Sequence, residues 1–196
     1  TKDLKLSVVV GSAKQRIEAL KAAADIYVIN RETVSWLVNL YKKDWDFDMV
    51  VIDESSSFKS SKSKRFKDLR KVRSLIKRIV ELTGTPSPNG LMDLWSQMYL
   101  LDMGERLGKT ITAFRRRFYT PGRGNGYVTY EWCLNDGDDK EILRRINDIC
   151  VSMKSEDYLK LPEVIYNKVP VKLSERDRAM YKKMEKDYVL EVANDV

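Results

Sequence analysis

The chain opens with a short β-branched run, Leu6 to Val10, that predicts a buried strand. Ser12 and Gln15 then stand at the spacing of a capping box, and Ala13, Ile17, Leu20 and Ala24 line one face of the helix that follows. Ile26 to Ile29 predicts a second strand. Val34, Leu37, Val38 and Tyr41 recur at i, i+3, i+4 and i+7, the period of an amphipathic helix. Met49 to Ile52 predicts a third buried strand, which runs out onto Asp53 and Glu54. Phe66, Leu69 and Val72 form a helical stripe ahead of a fourth strand at Arg78 to Leu82. A turn-rich segment, Gly84 to Gly90, leads into a helix that directs Leu91, Leu94, Trp95 and Met98 inward. Strands alternating with helices of this length specify an α/β fold built on a parallel sheet.

After Asp102 the pattern changes. Phe114 to Tyr119 is basic and aromatic, and Pro121 to Gly126 is a glycine-rich turn. Tyr127 to Cys133 predicts a strand and Lys140 to Cys150 a helix. Val169 to Leu173 alternates like a strand, with Pro170 placing it at an edge or boundary. Ser174 caps a last helix carrying Tyr181, Met184 and Tyr188. The expected division is 1–101, an insertion or helical subdomain over 102–160, and a further segment over 161–196.

Composition narrows the chemistry. With 43% hydrophobic and 33% charged residues the 196-residue chain has the make-up of a globular domain, and no apolar run approaches the roughly 18 residues of a membrane span. A soluble, intracellular protein with no membrane partner is the expectation. The sequence has no histidine, which excludes His-based triads, His acid–base catalysis and His-ligated metals. Cys133 and Cys150 lack the paired spacing of a zinc site. Hydrolysis here must rest on carboxylates, lysines, arginines or a bound cation.

The 36 basic residues exceed the 29 acidic ones by a net +7, a balance that favours a polyanionic partner. Ten of the basic residues lie between Lys59 and Arg78, where Asp68 is the one acid. Lys64, Arg65, Lys67 and Lys71 also fit the solvated face of a helix whose other side carries Phe66 and Leu69.

Two segments carry the chemistry. Asp53 and Glu54 are delivered by a buried strand to the carboxyl edge of the sheet, where open parallel sheets bind ligands. In nucleotide hydrolases the first acid of such a pair holds Mg²⁺ and the second orients or deprotonates the attacking water. The pair alone also fits a solvated strand end. Leu82-Thr83-Gly84-Thr85-Pro86 follows the next strand, and its small hydroxyl-bearing turn is placed to touch both the carboxylates and a neighbouring domain.

Val50-Val51-Ile52-Asp53-Glu54, the basic helix beginning near Lys59, Glu81-Leu82-Thr83-Gly84-Thr85-Pro86-Ser87-Pro88-Asn89 and Leu91-Met92-Asp93-Leu94-Trp95-Ser96-Gln97-Met98 together resemble the first RecA-like lobe of Swi/Snf-related helicases of superfamily two. The compact phage and bacterial members are the nearest in flavour. Ile29-Asn30-Arg31-Glu32 is similar to the family's strand-end motif that meets the nucleic-acid backbone, and Leu161-Pro162-Glu163 is similar to its crossing toward the second lobe. The resemblance implies a partial RecA-like lobe over 1–101 and a linker with the start of a second lobe over 161–196. It implies ATP and Mg²⁺ as cofactors of the whole protein, with Asp53 on the metal and Glu54 activating water. Thr83, Gly84 and Thr85 would couple hydrolysis to the grip on nucleic acid, while Asn30, Arg31 and Lys59 would contact phosphates. Duplex DNA is the expected track. Where many relatives carry Asp-Glu-Ala-His, this chain has Ser55 and Ser56 after the acids, so coupling must use other groups.

Gly104-Glu105-Arg106-Leu107-Gly108-Lys109-Thr110 imitates a phosphate-binding loop but has three residues between its glycines where the loop needs four. It also follows a helix instead of a strand. With no other candidate loop, the expectation is part of an ATP-driven DNA helicase or translocase whose N-terminal phosphate loop and second lobe lie elsewhere, the 196 residues alone being inactive. A non-catalytic module that binds nucleic acid or a partner is the alternative.

Overall fold

Parallel pairing organises the first half of the chain, as the alternation of strands and helices requires. The computed structural model describes residues 3–125, 127–153 and 165–187. Residues Thr1–Val151 form one compact unit and Ser152–Val196 another. The order in the first unit is β1 (Leu6–Val9), α1 (Ala13–Lys21), β2 (Ile26–Ile29), α2 (Val34–Tyr41), β3 (Met49–Asp53), α3 (Lys64–Val72), β4 (Arg78–Leu82), α4 (Leu94–Asp102), α5 (Ile111–Phe118), β5 (Tyr119–Pro121), β6 (Trp132–Leu134) and α6 (Asp138–Ile146).

β1 pairs with β2 in parallel, Leu6 opposite Ile26 and Val9 opposite Ile29. β3 pairs with β4 in parallel, from Met49 opposite Arg78 to Asp53 opposite Leu82. The two pairs are separate two-stranded sheets among the described residues, and β5 with β6 makes an antiparallel third. The capping box forms as its spacing predicts: the Ser12 hydroxyl accepts from the Gln15 amide, and the Gln15 side chain accepts from the Ser12 amide at 2.8 Å. α1 stops at Lys21, short of Ala24.

The strands are half-buried, not wholly buried as their continuous apolar runs suggest. Val9 and Ile52 are covered, while Leu6, Val8, Met49 and Val51 are exposed. Successive side chains of a strand point to opposite faces, and the helices described here cover one face of each pair. None of α1 is buried, although Ile17 and Leu20 share a face.

The core gathers around α4. Leu94, Trp95, Met98 and Leu100 pack with Phe58, Phe66, Leu69, Val72, Leu107, Phe114, Phe118 and Ile142. Burying a tryptophan removes on the order of 200 Å² from water, worth about 5 kcal/mol, so Trp95 at 1% exposure is a principal anchor. Its indole N–H donates to the Gly108 carbonyl at 2.9 Å, which satisfies its polar end. Arg73, within the basic stretch, turns inward instead of facing solvent. Its guanidinium donates to the carbonyls of Leu100, Ile76 and Leu101, closing the end of α4.

Beyond α4 the sequence expectations shift. The basic, aromatic stretch at Phe114 is the second half of α5, capped by the Thr110 hydroxyl, which accepts from the Ala113 amide at 3.0 Å. The strand expected over Tyr127 to Cys133 contracts to β6, preceded by an isolated bridge between Gly124 and Thr129. In the second unit Ser174 caps α7 (Glu175–Asp187), its hydroxyl accepting from the Asp177 amide at 3.1 Å. The strand expected at Val169 to Leu173 does not form: no described strand pairs with it, and Pro170 lacks the N–H that a ladder needs. Leu161-Pro162-Glu163, Gly126 and Tyr188 lie outside the described residues.

Candidate functional site

The carboxyl ends of β3 and β4 lie side by side because the strands are parallel and in register to their last residues. Asp53 is opposite Leu82, so Asp53-Glu54 and Thr83-Gly84-Thr85 leave adjacent strand ends. Glu54 adopts φ 54°, ψ 56°, a left-handed conformation that a residue with a Cβ adopts only at a cost. That conformation breaks the strand and starts the 3₁₀ turn Ser55–Phe58, leaving both acids exposed. The Asp53 carboxylate accepts from the Glu54 amide at 3.1 Å.

The end of β2 reaches the same place. Arg31 donates from Nη1 to the Glu54 carbonyl at 3.4 Å across 23 positions of sequence. Asn30 precedes the 3₁₀ turn Arg31–Thr33, and its carbonyl accepts from the Thr33 hydroxyl at 2.6 Å while its own side chain is exposed and makes no cap. Thus the sequence-predicted residues Asn30, Arg31, Asp53, Glu54, Thr83, Gly84 and Thr85 all occupy the carboxyl ends of β2, β3 and β4.

In the second turn, the Thr83 hydroxyl accepts from the Thr85 amide at 3.2 Å. A Cβ placed on Gly84 would meet no atom within 4 Å, so the lobe's own packing does not demand glycine there. Lys59 stands slightly apart. Its ammonium lies 3.7 Å from the Asp93 carboxylate, and its carbonyl accepts from the Ser96 hydroxyl.

Sequence reasoning missed the polar residues buried beneath these turns. Ser55 and Gln97 are fully buried and joined, the Ser55 hydroxyl donating to Gln97 Oε1 at 3.0 Å. Glu81, on β4, has neither carboxylate oxygen hydrogen-bonded, and burial pushes its pKa up to about 8, with the Arg73 charge pulling the other way. Ser55 follows directly on the acid pair and Glu81 stands two residues before Thr83, a proximity that was the only available signal.

Four of the ten basic residues between Lys59 and Arg78 lie within 4 Å of a carboxylate, Lys59 among them. Lys71 pairs with Asp68 at 2.6 Å, Lys77 with Asp48 at 2.7 Å, and Arg65 approaches Glu32 at 3.9 Å. Arg70 lies over the Tyr99 ring at 4.5 Å. Lys62, Lys64 and Lys67 project into solvent around the start of α3.

The imitation phosphate loop is occupied by the protein itself. One Asp102 oxygen accepts from the Gly104 and Glu105 amides at 2.8 and 3.2 Å, and the other from the Arg106 amide at 3.0 Å. A carboxylate therefore takes the amides that a phosphate would need. Among the described residues no cluster of three His, Cys, Asp or Glu could hold a metal ion. Mg²⁺ does not require such a cage, since one or two carboxylates and substrate phosphates commonly suffice, and Asp53 fits that smaller demand. No described helix is long and apolar enough to cross a membrane.

Comparison with known proteins identifies the lineage. The chain is 36% identical to the p41 protein of Acyrthosiphon pisum secondary endosymbiont phage 1, over 97% of this chain and 43% of that protein. It is 30% identical to Helicase ssl-1 of Caenorhabditis elegans, over 91% of this chain and 7% of that protein, and so spans less than half of either relative. Its fold matches the Sulfolobus solfataricus SWI2/SNF2 ATPase core in complex with dsDNA with a TM-score of 0.59 at 25% identity, covering 97% of this chain and 39% of that one. The parallel pairs and their helices are accordingly RecA-like. The SNF2-related domain model matches residues 1–196, and the chain belongs to the SNF2-related domain family.

Proposed function

We propose that this chain is part of the motor of an ATP-driven DNA translocase, whose hydrolysis is stimulated by duplex DNA. The observation that carries the reading is the register of β3 on β4, which brings the acid pair and the Thr83-Gly84-Thr85 turn to adjacent strand ends beside Arg31. Ligands of open parallel sheets bind at that edge. Relatives named as helicases and a structural neighbour solved with double-stranded DNA support the same reading.

The roles proposed for the residues follow the family resemblance and are compatible with their places. Bound ATP with Mg²⁺ supplies the γ-phosphoryl group and the charge neutralisation that its transfer to water requires. Asp53 is the carboxylate for the metal. Glu54, held forward by its left-handed backbone, accepts the proton of the attacking water. Thr83, Gly84 and Thr85 relay the state of that site to the nucleic-acid grip. Asn30, Arg31 and Lys59 meet backbone phosphates, and Lys59 must then exchange Asp93 for its phosphate. The phosphate cradle and the arginine that completes phosphoryl transfer come from outside these residues, which contain no G-x-x-x-x-G-K-S/T sequence. Residues 1–101 belong to the first lobe, 102–160 to an insertion, and 161–196 to a linker and the start of the second lobe. The protein works in the cytoplasm of a bacterial or phage-infected cell, in keeping with its phage relative.

The test is phosphate release by the whole protein with duplex DNA, single-stranded DNA, RNA or no nucleic acid. The reading requires the largest stimulation by duplex. DNA binding without any hydrolysis would establish the non-catalytic module instead. The 196 residues alone should release no phosphate.

A further inference from the structure

Gln97 is 1% exposed, beside the equally buried Ser96 in α4, where Leu94, Trp95, Met98 and Leu100 are buried around the pair. Its amide nitrogen donates to the Pro86 carbonyl at 2.6 Å and to the Asp93 carbonyl at 3.0 Å. Its amide oxygen accepts from the Ser55 hydroxyl at 3.0 Å. The orientation is fixed by chemistry: both carbonyls are acceptors only, so the NH₂ group must face them.

These partners lie on the two turns that define the candidate site. Ser55 is the residue after Glu54, and Pro86 is the residue after Thr85. We propose that Gln97 is a positioning residue, bridging the Ser55 hydroxyl and the Pro86 carbonyl so that the Glu54 turn and the Thr83–Pro86 turn shift together. The inference rests on the function proposed above and adds the physical link between its two motifs. It also supplies a coupling group in a chain where Ser55 and Ser56 follow the acids.

Three features favour a coupling role over simple packing. Leucine would fill a similar volume, whereas the amide obliges the core to bury a donor pair and an acceptor. All three of those groups are used: two reach the Ser55 and Pro86 turns and the third the carbonyl of Asp93, the N-cap of α4, which is how a buried polar group fixes one arrangement out of several. Glu54 has a left-handed backbone that its surroundings must hold, and the Ser55–Gln97 bond anchors the next residue.

The experiment compares Gln97→Leu, Ser55→Ala and the double variant in the whole protein. DNA-stimulated turnover should fall about tenfold or more in each single variant, with the KM for ATP within about threefold of the parent. The double variant should be no worse than the poorer single one, because both remove the same bridge. Hydrogen exchange should quicken in residues 53–59 and 82–90 together, with the rest of α4 unchanged. Ser55→Ala keeps the core volume and guards against a Gln97→Leu protein that does not fold. Turnover within twofold of the parent in both single variants, additive losses in the double, or exchange that changes in one turn without the other would overturn the bridge. A parent protein with no DNA-stimulated hydrolysis would instead sink the proposed function, and exchange would still decide whether the turns are linked.

Discussion

Arg31 holds the backbone carbonyl of Glu54 with a 3.4 Å hydrogen bond, so a residue at the end of β2 is tied to the residue that leaves β3. The guanidinium has further N–H groups and stands at an exposed edge. An arginine can therefore keep this bond and still meet a phosphate, as a lysine with its single point charge does less well.

Arg31→Ala in the whole protein should weaken duplex binding across sequences and lower the slope of log affinity against log salt by about 1. Titrations between about 50 and 200 mM salt measure this. An unchanged slope would remove Arg31 from the phosphate contacts.

Glu81 makes stability depend on pH. Its folded pKa is about 8, above the ordinary 4.5, so the folded state holds a proton that the unfolded state gives up. Stability from this carboxyl is intact below about 4.5 and declines as pH rises toward 8, by at most on the order of 5 kcal/mol. Glu81→Gln should raise the melting temperature at pH 8 and leave it nearly unchanged at pH 4.5. A wild-type protein equally stable at both pH values would contradict the burial of this acid.

Much of this arrangement is legible in the sequence, for identifiable reasons. The ends of β2 and β4 are marked by turn-forming or charged neighbours, and the Ser12–Gln15 box signals its own hydrogen bonds. Asp53-Glu54 and Thr83-Gly84-Thr85 announce themselves because each follows a short β-branched run that reads as a strand. Gln97 and Ser55 do not, since a polar residue in a helix or turn reads as solvent-facing until its partner, 42 positions away, is known. Arg73 was hidden in the same way among nine other basic residues whose chemistry is that of a surface. The bare faces of β1 and β3 show the converse limit: an apolar run reports what a strand can bury, not what is there to cover it.

Lys109 is assigned no phosphate, because the Asp102 carboxylate already fills the amides of the preceding turn. Lys109→Ala should change the ATP affinity of the whole protein by less than about threefold. Equilibrium nucleotide binding checks this, and a large loss would restore the shortened loop as a nucleotide site.

The central claim is that the acid pair at the end of β3 performs hydrolysis. Its most direct test is single-turnover ATP hydrolysis by the whole protein carrying Glu54→Gln, with nucleotide affinity measured alongside. An amide cannot take the water's proton, so DNA-stimulated turnover should fall about a hundredfold or more while ATP binding stays nearly intact. Near-normal turnover in that variant would show that Asp53-Glu54 is a solvated strand end and that the chemistry lies elsewhere.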